Sequence, residues 1–91
     1  MELLDPNRLA AAIGPLSWHE ADGELVKVVR RHDFRAAMQF ANEVAELAEA
    51  VGHHPDIEIR WDTVTLRLST HSLGGITDAD IALASRIDSI R

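Results

Sequence analysis

The 91 residues predict an α+β fold: two layers, a four-stranded antiparallel sheet with three helices on one face, in the order α-β-β-α-β-β-α. Three observations predict it. From Phe34 onward, apolar residues recur at the three-and-four spacing of one helix face. Two stretches near the middle of the chain alternate apolar and polar residues, as half-buried strands do. Asp22-Gly23 separates two further strand-like runs, and a two-residue hairpin turn needs φ > 0 at both of its central positions.

Each element has its own signals. Asp5 suits an N-cap, and Pro6 suits the first helical position, where its missing N–H has no partner to lose. "NRLAAAIG" continues a short helix over 6–13, which Gly14 and Pro15 stop. "LSWHEA" and "ELVKVVRRH" read as paired strands around Asp22-Gly23, the second rich in β-branched residues. Asp33 caps the long helix. Its inward stripe is Ala37, Met38, Ala41, Val44, Ala45, Ala48 and Val51, with Arg35, Gln39, Glu43 and Glu46 toward water. It ends near Gly52, with Pro55 beyond. "DIEIRW" puts Ile57, Ile59 and Trp61 on one side of a strand. "DTVTLRLSTH" puts Val64, Leu66 and Leu68 on one side of the next, joined tightly near Asp62. "SLGG" is a loop, and "TDADIALASRIDSI" is a final helix with Ile81, Ala84, Ile87 and Ile90 inward. No linker, repeat or low-complexity stretch interrupts the chain, so 1–91 read as a single domain.

Composition narrows the function classes. Hydrophobic residues make up 46% and charged residues 26%, as in a soluble globular protein. The absence of cysteine excludes disulfides and thiolate metal sites. A net charge of −6 argues against nucleic-acid binding through a basic surface. The basic cluster of Lys27, Arg30 and Arg31 reads as a solvated strand face. No apolar run reaches the length of a membrane span, and the N-terminus is unlike a signal peptide, so a cytoplasmic protein is expected. Small size favours oligomerisation, because association adds buried area.

The candidate chemistry lies in "EAVGHHPDIEIRW". Glu49 precedes His53 by four residues, which is one helix face if the helix lasts that far. His54 then points elsewhere. Two imidazoles at a helix C-terminus, stiffened by Pro55, suit proton exchange near neutral pH on one small molecule. His71 ends the last strand, where sites are commonly built. Each residue also has a structural reading. The histidine pair can simply end the helix, His71 and Glu49 can be surface residues, and Trp61 can be core. Thr77 and Asp80 fit a capping box, so Asp80 has a structural task in either case. Glu49, His53 and His71 offer metal-ligand types, but adjacent histidines rarely chelate one ion and no His-x-His or His-x₃-His pair is present. No metal site is expected.

Together, Glu49-x-x-x-His53-His54-Pro55, Trp61, Thr70-His71 and "GGITDAD" ending at Asp80 resemble the signature of the pterin-4a-carbinolamine dehydratases. The resemblance takes in Trp18, "DFRAAMQFANEVAELAE" and "DADIALASRID", nearly the whole chain. Departures are mild: Gly52 stands where many members carry a polar residue, and Ile76 replaces a common leucine. The resemblance implies dehydration of a 4a-hydroxytetrahydropterin to quinonoid dihydropterin and water, recycling the cofactor of aromatic amino acid hydroxylases. Pterin is then the substrate, and no cofactor is expected. It implies His54 as base toward N5, with His53 and His71 as acids toward the hydroxyl. Glu49 would orient His53 or hold a pterin N–H, and Asp80 would orient His71. Ser69, Thr70 and Ser72 would read the amide-like edge of the ring, with Pro55 and Trp61 beside it. It also implies a homodimer or homotetramer. The alternative on the same fold is a non-catalytic pterin-binding or protein-assembly module.

Overall fold

The computed structural model describes residues 1–91. Asp5 accepts a hydrogen bond from the Arg8 amide at 2.9 Å, and Pro6 opens α1 (Pro6–Ile13). Asp22 and Gly23, with φ of 52° and 78°, turn the chain between β1 (His19–Ala21) and β2 (Glu24–Arg30), as the hairpin signal predicts. Asp33 caps α2 (Phe34–Val51) through the Ala36 amide at 2.8 Å. Two strands follow, β3 (Asp56–Arg60) and β4 (Thr63–Leu68), then a single 3₁₀ turn over His71–Leu73 and finally α3 (Asp78–Asp88). Thr77 and Asp80 form the predicted capping box. The sheet runs β1-β2-β4-β3, with every neighbouring pair antiparallel.

One face of the sheet carries the core. Leu25, Val29, Val64, Leu66 and Leu68 meet Ala37, Phe40, Val44 and Ala48 of α2 and Leu83, Ala84 and Ile87 of α3. Leu9 and Ile13 of α1 pack at its margin. This is the predicted α+β architecture with its predicted element order.

Several local expectations change. The first strand is shorter than "LSWHEA", because Asp88 draws that segment toward the end of α3. Its carboxylate accepts the Ser17 amide at 2.8 Å and the Trp18 indole N–H at 2.9 Å. Lys27 also turns to Asp88, at 2.8 Å, and is mostly buried. Arg30 pairs with Asp62 at 2.9 Å, and Arg31 lies over the Phe40 ring. Lys27, Arg30 and Arg31 therefore engage separate partners and do not form one solvated basic face. Along α2, Phe40 enters the core, while Ala45 and Val51 face out. In α3, Leu83 is buried and Ile81 only half so. Trp61 does not continue the inward face of β3. It sits in the turn before β4 with φ 54° and is 68% exposed.

Candidate active site

The site begins with the way α2 ends. Gly52 takes the left-handed conformation (φ 69°, ψ 29°), which costs glycine little. Its amide and that of His53 both reach the Ala48 carbonyl, at 2.9 and 3.2 Å. The helix therefore stops before His53, and the continuous face expected for Glu49 and His53 does not form. The exchange of partners follows. His53 swings across to α3, where its Nε2 lies 2.5 Å from Asp80 Oδ1. His54 folds back on α2, where its Nε2 lies 2.5 Å from Glu49 Oε2. Glu49 thus orients His54 rather than His53, and Asp80 orients His53 rather than His71.

The two pairs differ in setting. Asp80 is fully buried, and the His53 side chain is 20% exposed. Glu49 and His54 are 76% and 60% exposed. Asp80 is fixed on both oxygens: Oδ2 accepts from the Thr77 amide and the Thr70 hydroxyl, each at 2.9 Å. Thr70 and Thr77 are themselves joined through their hydroxyls at 2.8 Å. An ionised carboxylate only accepts, so Nε2 of each histidine carries the hydrogen and Nδ1 is left for exchange.

Sheet register decides which other residues arrive. Asp56 pairs with Arg67, and Leu25 with Leu68. The starts of β2 and β3 and the end of β4 therefore share one end of the sheet with the end of α2 and the start of α3. His53, His54, Pro55, Ser69, Thr70, His71, Ser72 and Asp80 all lie at that end. Ser69 is half-buried, and His71 and Ser72 are exposed on the 3₁₀ turn. The Thr70 side chain is buried, and its hydroxyl is committed to Asp80 and Thr77. It braces the Asp80 carboxylate. Trp61 lies at the opposite end of β3, where Arg60 pairs with Thr63, so the fold does not bring it to the histidines. That far end also holds Asp62, whose carboxyl is held below its ordinary 3.8 by the hydrogen bond from Arg30 and then that from Thr63.

A cavity of about 270 Å³ opens beside His53, between α2 and α3, lined by Val51, His53, Ala79, Ala82, Leu83 and Arg86. Sequence reasoning missed one group. Glu24 and Asp56 start β2 and β3 on either side of β4, and each brings a carboxylate oxygen to His71, all three ligand atoms lying within 4.8 Å of one another. Alternation along β2 and β3 hints at their shared face, but only the strand order makes them neighbours.

With two carboxylate-anchored imidazoles at one sheet end, the arrangement can accept and donate protons without a metal. Residues 2–90 match the family model for pterin 4 alpha carbinolamine dehydratase. A protein of Nocardia farcinica is 48% identical over 90 residues, covering 98% of this chain and 95% of the relative. One of Mycobacterium tuberculosis H37Rv is 45% identical over 91 residues, covering 99% and 97%. Both are named, provisionally, pterin-4-alpha-carbinolamine dehydratases. The crystal structure of a transcriptional coactivator/pterin dehydratase from Brucella melitensis superposes with a TM-score of 0.91 at 27% identity, over 97% of each chain. A pterin dehydratase-like RuBisCO assembly factor of the alpha-carboxysome shares the fold, with a TM-score of 0.65 at 23% identity over 86% of this chain and 90% of that one. On this evidence the chain belongs to the pterin 4 alpha carbinolamine dehydratase family.

Proposed function

We propose that the protein dehydrates 4a-hydroxytetrahydropterin to quinonoid dihydropterin and water, recycling the cofactor of aromatic amino acid hydroxylases. The observation that carries the reading is the pair of anchored imidazoles, His53 on Asp80 and His54 on Glu49, in a chain of this family. The chemistry needs two proton movements. The C4a–O bond breaks, and its oxygen must leave as water, so an acid protonates it. The N5–H proton goes to a base, and the electron pair left on N5 forms the N5=C4a double bond. No redox change occurs.

His54 is the base toward N5. Its exposure lets the captured proton pass to solvent between turnovers. Glu49 holds the Nε2–H and so keeps Nδ1 as the accepting nitrogen. His53 and His71 are the acids toward the 4a-hydroxyl, His53 with its ring fixed by the buried Asp80. Ser69 and Ser72 border the ring edge, and Pro55 stiffens the exit from the histidine pair. Metal and cofactor have no part in this reading. A cytoplasmic homodimer or homotetramer belongs to the same proposal.

The test generates the carbinolamine in place with a phenylalanine hydroxylase and follows its decay by stopped-flow absorbance. Wild type should accelerate the decay, and His54→Ala should lose about 10²–10⁴-fold of that acceleration. Full turnover by His54→Ala would overturn the base assignment. No acceleration by folded wild type would leave the pterin-binding or assembly module as the better account. The Brucella melitensis relative is described as both a transcriptional coactivator and a pterin dehydratase, which is consistent with either reading.

A further inference from the structure

We infer that Glu24, Asp56 and His71 form a binding site for a divalent transition-metal ion, and that an ion held there takes the His71 imidazole out of service. The three side chains come from separate elements: the first residue of β2, the first of β3 and the 3₁₀ turn after β4. Because β4 lies between β2 and β3, the two carboxylates approach His71 from either side. One ligand atom from each residue lies within 4.8 Å of the other two. Ligand atoms around a tetrahedral zinc ion with bonds near 2.1 Å sit about 3.4 Å apart. Each side chain therefore closes on an ion by a movement of about 1 Å, a small rotation at χ.

Nothing holds these side chains in another arrangement. None of the three makes a side-chain hydrogen bond or an ion pair within 4.0 Å. Carboxylates elsewhere in the protein do, as in Asp62 with Arg30, Asp88 with Lys27 and Glu49 with His54. Arg67, directly across from Asp56 in the sheet, does not pair with it. Two carboxylates held near each other without a cation favour one that bridges them. One imidazole with two carboxylates is a donor set for zinc, manganese or ferrous ion, and the imidazole favours zinc over magnesium or calcium. The set is distinct from Glu49, His53 and His54, whose pairings are internal.

The probe is zinc ion alone, titrated calorimetrically into the full chain without pterin. Wild type should take up one ion per chain with micromolar affinity. Glu24→Gln and Asp56→Asn should each weaken uptake at least about tenfold, and the double variant should abolish it. Glu49→Gln should leave it unchanged. Circular dichroism checks that each variant is folded. Absence of one-to-one uptake, uptake that survives in the double variant, or uptake lost in Glu49→Gln would each overturn the assignment. The inhibition arm rests on the dehydratase reading. Zinc should slow wild-type turnover over the concentrations at which it binds, and should not slow the double variant relative to that variant's own metal-free rate. Equal inhibition of both would overturn the claim that this site silences His71. If wild type shows no dehydratase activity, the calorimetric arm still decides the metal site alone.

Discussion

Asp80 is where the fold and the site can be separated by measurement. Asp80→Ala removes three contacts at once. The Thr77 amide loses its half of the capping box, at a cost of about 1 kcal/mol. Buried donors left short of an acceptor add about 1–3 kcal/mol. The sum is about 3 kcal/mol. For a 91-residue chain, each kcal/mol moves the Tm by about 4–8 °C, so the variant should melt about 12–24 °C below wild type. Asp80→Asn keeps the volume and one accepting oxygen, which still serves Thr77 and Thr70. It should cost about 1 kcal/mol, or about 4–8 °C. Its amide, however, is uncharged and presents N–H to His53 Nε2, so the doubly protonated imidazolium that an acid needs loses its carboxylate partner. The same protein should therefore lose at least about tenfold in turnover while remaining folded at 25 °C. Calorimetry at one fixed protein concentration reads the stability, since association makes the Tm concentration-dependent. An Asp80→Ala variant melting within about 4 °C of wild type would refute the stability reasoning. An Asp80→Asn variant with full turnover would refute the role given to the Asp80 carboxylate in supporting His53 as an acid.

Three further expectations concern residues away from that carboxylate. Asp62 has its pKa lowered in the folded state by Arg30 and Thr63, so its contribution is fully present above 3.8 and is lost as the pH falls below that value. Denaturant midpoints measured from pH 5 to pH 2 should fall less steeply for Asp62→Asn than for wild type; parallel curves would refute this. Gly52→Ala meets no atom within 4 Å, so its cost is the left-handed backbone alone, about 1 kcal/mol, read as a lower urea midpoint with unchanged slope. An unchanged midpoint would mean that a side chain does not strain this turn. Trp61→Ala should leave kcat/KM within about twofold of wild type, because Trp61 lies at the other end of β3 from the histidines. A tenfold rise in KM would place it against the substrate after all.

Much of the fold was legible because its signals are local. The Asp22-Gly23 turn, the Asp5-Pro6 helix start, the Asp33 cap and the Thr77–Asp80 box are each written within a few residues, and each forms as read. What escaped was set at long range. Asp88, at the end of α3, shortens the first strand by taking the Ser17 amide and the Trp18 indole. The same carboxylate draws Lys27 into a half-buried position that strand alternation alone does not foresee. Trp61 was misplaced for another reason. Period-two alternation continues through it, but the strand ends at Arg60, and a positive φ then turns the ring outward.

The sequence singles out Glu49, His53, His54 and Asp80 but not which carboxylate each histidine takes. Counting four from Glu49 to His53 assumes a helix that continues, and the glycine between them ends it. That single left-handed residue exchanges the carboxylates: Glu49 goes to His54, and Asp80 goes to His53. Glu24 and Asp56 could not be found from spacing, since only the β1-β2-β4-β3 order brings them to His71. The exchange has a functional consequence. Asp80 both caps α3 and anchors His53, so truncating it loosens the helix and frees the imidazole together. Glu49 is exposed and caps nothing, so replacing it should lower the rate without lowering the Tm. Within the proposed reaction, then, the acid His53 is tied to the stability of the fold, and the base His54 is not.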